Sequence, residues 1–160
     1  MVLTDEISYI KPSGFKVVTQ NRNGAVLTKD FYRIEVGLFP MDKTVSIDSR
    51  ASYPTMTARQ EIADFYVNEL VTNYGATIEG YKTLIDNHNT GSLIVGSLQR
   101  GEGVAIKFAS YITLTDSGQA VVARVMAPDN GQFTDEDLMK MVEGVRIQHK
   151  GLLSGGTVIL

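Results

Sequence analysis

The spacing of hydrophobic and polar positions changes period several times along the chain. In GFKVVTQ, GAVLTKD, FYRIEVGLF and TVSIDSRA the period is close to two, with NRNG and PMDK as breaks, and this predicts three or four strands joined by turns. The period then becomes helical. Ile62, Phe65, Tyr66, Leu70 and Tyr74 fall at three- and four-residue steps, Thr57 and Gln60 have capping-box spacing, and Gly75 supplies a stop, so a helix is expected from Thr57 to about Tyr74.

After an apolar element from Ala76 to Ile85, alternation returns in SLIVGSLQR, VAIKFASYITL and QAVVARVMA, with GEG and TDSG as turns, the pattern of a three-strand meander. A second amphipathic helix is expected to start at Thr134. Asp135, Glu136 and Asp137 load its positive end, and Leu138, Met141, Val142 and Val145 make its stripe.

Side-chain alternation then predicts the layers. With 115–118 as the hairpin turn, Tyr111 is expected opposite Val122 and Ala109 opposite Arg124. One face would carry Val104, Ile106, Phe108, Ile112 and Leu114 with Val121, Ala123 and Val125, which is a core. The other would carry Lys107, Ala109, Tyr111 and Thr113 with Val122, Arg124 and Met126, half apolar and half charged. A sheet that needs cover on both faces predicts an α+β chain folded as an α/β/α sandwich, with two main helices around a largely antiparallel sheet.

With 160 residues the chain suits one domain over 1–150. Residues 151–160, GLLSGGTVIL, read as a tail that either frays or adds as a strand to a sheet edge. Cysteine is absent, which removes thiol catalysis, thiolate metal sites and disulfides. The first residues carry Asp5 and Glu6 and lack the apolar run of a secretory signal, and no stretch is long enough to span a bilayer. A soluble, cytoplasmic protein is expected, unless a leader has been removed. The net charge of −3, with both signs interspersed, disfavours nucleic acid and anionic lipid as partners.

The densest cluster of reactive side chains is IDNHNTG, Ile85 to Gly91. Asp, Asn and Gly are what a turn selects, and His88 with Asp86 would still lack a nucleophile. His88-Asn89-Thr90 has the form used by two-histidine phosphodiesterases, but His149 does not begin a second copy. Two histidines so far apart make no metal set, and the glycines of GEG and GLLSGG do not sit between a strand and a helix as a phosphate cradle requires. No catalytic residue, metal or cofactor is therefore expected. Lys107, Tyr111 and Arg124 remain as a candidate partner-binding patch on one sheet face. The plainer alternative, which is favoured, has Tyr111 packed beneath a helix with the two cations reaching its rim.

The element order resembles the PsbP-like fold, shared by the photosystem subunit PsbP, Ran-binding import factors, DcrB-like envelope proteins and EagR chaperones. The resemblance runs from Gly14 to Ile147, through the opening GF, the extended FYRIEV, the helix near 58–74, the meander 92–127 and the closing DLMKMVEGVRI. The chain departs from it in having no tryptophan after an early proline. The resemblance implies a fold whose members mostly bind proteins. The expected function is thus a non-enzymatic protein-binding module, an adaptor, chaperone or inhibitor working through a sheet face or edge. One alternative is a small-molecule-binding or weakly catalytic domain using the Asp86–His88 loop. Another is a phage or assembly component that oligomerises through the C-terminal strand.

Overall fold

The computed structural model describes residues 7–9, 11–21, 24–38, 56–84, 91–100, 104–114, 120–129, 134–145, 147–150 and 157–158. The described chain runs β1 (Ile7–Tyr9), β2 (Lys16–Asn21), β3 (Gly24–Lys29), β4 (Tyr32–Leu38), α1 (Met56–Tyr74), β5 (Thr77–Leu84), β6 (Gly91–Arg100), β7 (Val104–Leu114), β8 (Ala120–Pro128), α2 (Asp135–Val145), β9 (Ile147–Lys150) and β10 (Thr157–Val158). Seven strands form one sheet in the order β2-β3-β4-β8-β7-β6-β5, and all of its pairings are antiparallel. A small second sheet has the order β1-β9-β10.

Helix α1 packs on β5, β6 and β7 from one side, and α2 packs on β6, β7 and β8 from the other. The α/β/α sandwich expected from alternation is what the chain forms. The meander gains a strand, because the apolar element from Ala76 to Ile85 is β5 and pairs with β6. The segment TVSIDSRA and residues 85–90 of IDNHNTG lie outside the described residues. In the 151–160 tail, Thr157 and Val158 pair with Lys150 and His149 of β9, on the edge of the chain's own small sheet.

The helix ends follow local chemistry. Thr134 Oγ1 accepts from the Asp137 amide at 3.1 Å, and Asp137 Oδ2 accepts from the Thr134 amide at 3.1 Å, a reciprocal cap that fixes where α2 begins. Helix α1 starts at Met56, one residue before the expected cap at Thr57. Gln60 reaches sideways, donating to the Tyr81 hydroxyl at 2.6 Å and to Asp64 at 3.0 Å, while the side chain of Thr57 lies outside the described residues. At the other end Gly75 takes φ +66°, and the Ala76 amide returns to the Leu70 carbonyl at 3.1 Å.

The hairpin register corrects the expected faces. Leu114 pairs with Ala120, so five residues separate the paired positions. Tyr111 lies opposite Ala123 and Ser110 opposite Arg124. A one-residue slip turns every side chain of a strand to the other face. Phe108, Ile112 and Leu114 therefore share the α1 side with Ala120, Val122 and Met126, packed on Ile62, Tyr66 and Leu70. Ala109 and Tyr111 share the α2 side with Val121, Ala123 and Val125, packed on Leu138 and Val142.

Candidate functional site

The corrected register separates the three candidate residues. Lys107 and Tyr111 lie on the α2 side, and Arg124 lies on the α1 side, so they do not form one patch. Lys107 Nζ donates to Asp135 Oδ1 at 2.8 Å and ties the start of α2 to the sheet; that hydrogen bond raises its pKa above the ordinary lysine value, against the effect of burial. Tyr111 is buried in the core shared with α2, and its ring lies across Gly91. A Cβ placed on Gly91 would meet the ring at 2.5 to 2.6 Å. The glycine that closes IDNHNTG thus makes room for a tyrosine on the neighbouring strand β7, two residues from its own cross-strand partner Thr113.

Arg124 sits elsewhere, on the floor of a groove. The two sides of the sheet are covered to different extents. On the α2 side, Tyr9 of β1 and Phe15 extend the core across Ala25 and Leu27 of β3 and Ile34 and Val36 of β4. On the α1 side, the buried cluster takes its sheet residues from β6, β7 and β8, and none from β2, β3 or β4. The uncovered half of that face, together with the flank of α1, encloses an open groove of about 670 Å³. Thr19, Val26, Glu35 and Val122 contribute from the sheet, and Phe65 and Tyr74 from the helix.

The helix supplies that wall because its apolar stripe is wider than the surface it covers. Ile62, Ala63, Tyr66 and Leu70 are buried, while Tyr74 at the end of the stripe is 56% exposed. Its opposite flank is fixed by Gln60 and Asp64, both within hydrogen-bond distance of the β5 Tyr81 hydroxyl. The overhanging flank is left for the groove.

A polar network occupies the floor. The Tyr66 hydroxyl is 2.8 Å from Ser110 Oγ and accepts from Arg124 Nε at 2.9 Å, with the guanidinium carbon 5.6 Å from the Tyr66 ring centroid. Burial pushes the Tyr66 hydroxyl up from its ordinary pKa, and Arg124 and Ser110 pull only part of that back. The phenol stays protonated and acts as an anchor. Arg124 Nη1 stands 3.8 Å from Glu35 Oε1, and Glu35 Oε2 accepts from Arg33 Nη2 at 3.4 Å. Of these residues only Arg124 is a candidate on sequence grounds. Tyr66 read as one more core position, and Glu35 as one polar residue in an alternating strand.

Both edges of the main sheet are broken. The β2 register shifts between Val17 and Thr19, and the β5 register shifts between Ile78 and Gly80. Bulges of this kind, next to Lys16 and Lys82, interrupt the row of backbone groups onto which a foreign strand would pair. Among the described residues no group of three or more His, Asp or Glu could hold a metal ion, and no helix is long and apolar enough to cross a membrane.

No protein-family profile and no curated protein sequence matches the chain. Among solved structures it is similar to the solution structure of cyanobacterial PsbP (CyanoP) from Synechocystis sp. PCC 6803. The TM-score is 0.56 at 11% identity, and the match covers 96% of this chain and 86% of that one. At that identity the likeness is one of fold, and it extends over nearly the whole chain.

Proposed function

We propose that the chain is a non-enzymatic protein-binding module and that its binding face is the uncovered half of the sheet on the α1 side. One observation carries the reading: a groove with an arginine on its floor and aromatic side chains on its helix wall, on a sheet whose other face is closed. Arginine and aromatic residues are the side chains that most often dominate protein interfaces, and a concave site that combines apolar walls with fixed polar groups suits recognition. Of the expected patch, Arg124 is retained in this face. The bulged edges favour a face over an edge, and the PsbP-like fold is compatible with a binding role without assigning one.

Site-specific photo-cross-linking tests the reading. A benzophenone side chain at Val26 or Tyr74 is expected to capture a partner polypeptide from the native host's extract. The same group at Lys140, on the exposed surface of α2, is expected to capture nothing in common with it. Partners cross-linked from Lys140 and not from the groove positions would move the binding face to the other side of the molecule.

A further inference from the structure

We infer that the groove takes an extended, uncharged polypeptide segment and that Arg124 and Glu35 together read one amide group of it. The inference rests on the groove being the binding face and goes further, to the chemistry of what enters it. Arg124 and Glu35 are cross-strand partners on β8 and β4. Each is anchored away from the other, Arg124 by Tyr66 at 2.9 Å and Glu35 by Arg33 at 3.4 Å. The 3.8 Å between Nη1 and Oε1 is an ion-pair distance beyond hydrogen-bond reach. A guanidinium has five N–H donors, and only Nε is engaged in a hydrogen bond among the described residues. Oε1 of Glu35 likewise has no donor within hydrogen-bond distance there.

A donor and an acceptor side by side are the complement of an amide, whose carbonyl would accept from Arg124 and whose N–H would donate to Glu35. A carboxylate would face the charge of Glu35, and an ammonium the charge of Arg124. Glu69, the remaining charged residue of the lining, already accepts from Asn73 at 2.6 Å. Of the rest of the wall, Val26, Leu38, Phe65 and Tyr74 suit apolar side chains, and Thr19 and Asn21 suit neutral polar ones. An extended segment presents its amides sideways, whereas a helix spends them along its own axis, so the extended form matches the pair.

The test uses the full chain and a library of random peptides about 12 residues long, enough to span the groove in extended form. Enriched peptides are resynthesised and titrated by calorimetry against wild type, Arg124→Lys, Glu35→Gln and Val26→Glu, with melting curves to confirm folding. Neutral, apolar sequences are expected, with affinity changing less than about threefold between about 50 and 500 mM salt. Arg124→Lys keeps the charge but loses the planar fork and is expected to weaken binding about tenfold or more. Glu35→Gln replaces the carboxylate by a weaker neutral acceptor and is expected to weaken binding by about threefold to tenfold, less than Arg124→Lys does. N-methylation along the peptide is expected to cost about tenfold at one backbone amide. This scan leaves the protein untouched, so it decides the matter even if Arg124→Lys fails to fold.

Peptides that share a fixed charged residue and lose affinity steeply with salt would overturn the amide reading and leave the groove standing. Peptides indifferent to Val26→Glu would bind elsewhere and overturn both. A library that yields no binder counts against both as well.

Discussion

The two faces of the seven-stranded sheet are built from the same strands and end in different states. On the α2 side, a short helix is supplemented by Tyr9 and Phe15, and the core runs from β3 to β6 without a break. On the α1 side, a longer helix covers only part of the sheet, and the polar residues left over at its margin, Glu35 and Arg124, face a groove. Helix length therefore does not decide which face is sealed. The lesson lies in what the chain places beside each helix. A side where large apolar groups fill the remaining surface is closed into a core, and a side where a pinned arginine meets uncovered strands keeps a polar-floored groove.

This contrast is sharpest at Tyr111, which belongs wholly to the sealed side. Tyr111→Ala removes a buried aromatic packed against Gly91 and is expected to cost about 3 to 5 kcal/mol of folding stability. The folded fraction should still bind as wild type does. A urea midpoint that stays in place would break the assignment of Tyr111 to the core, and with it the corrected register. On the open side, Tyr66→Phe leaves the packing nearly intact but removes the hydroxyl shared by Ser110 and Arg124. It should cost about 1 to 3 kcal/mol and also weaken groove binding, because the guanidinium loses its anchor. A variant that loses stability and keeps full affinity would show the network to be structural only.

Much of this architecture could be read from the sequence, and the failures have specific causes. The helix stripes and the capping residue Thr134 are local features with fixed spacing, and they led to the right elements. The hairpin register did not follow, because VAIKFASYITL and AVVARVMA are apolar on both faces. Alternation alone then cannot tell a four-residue turn from the five residues that separate Leu114 and Ala120. That slip put Arg124 beside Tyr111, when its cross-strand neighbours are Ser110 and Glu35. Strand β1 is not legible in the sequence, because its three residues pair with β9 at the far end of the chain and nothing local marks so distant a partner. The groove could not be read at all. It arises from the area that α1 leaves uncovered, which is a property of tertiary packing.

A smaller effect is expected on the sealed side at the start of α2. Thr134→Ala removes the acceptor for the Asp137 amide and should cost about 1 kcal/mol, read as a shift of the urea midpoint. The same cap holds the Asp137 carboxyl below its ordinary pKa of 3.8, chiefly through the hydrogen bond from the Thr134 amide. Its contribution is therefore present above 3.8 and is lost as pH falls through the lower folded value. If the midpoint of Thr134→Ala matches wild type at neutral pH, the reciprocal cap does not set the helix start.

The smallest effect has the opposite sign and arises where β5 meets the same helix start. Glu79, on the bulge of β5, has its pKa raised above 4.5 by desolvation and then by the charge of Asp135 and a hydrogen bond to it, while Lys107 offsets part of the rise. A folded state that holds this proton more tightly than the unfolded chain is penalised once the group ionises, so stability falls as pH rises from 4.5 through the folded value. Glu79→Gln removes the penalty. The variant should be slightly more stable than wild type at neutral pH, by no more than the roughly 0.5 kcal/mol usual at exposed positions, since solvent screens the carboxyl. The difference should vanish below pH 4.5, where wild type also carries an uncharged group. A variant less stable than wild type at neutral pH would mean that the attraction between Glu79 and Lys107 outweighs the crowding by Asp135. The foot of α2 would then be held by two ion pairs through Lys107, where the present geometry gives one.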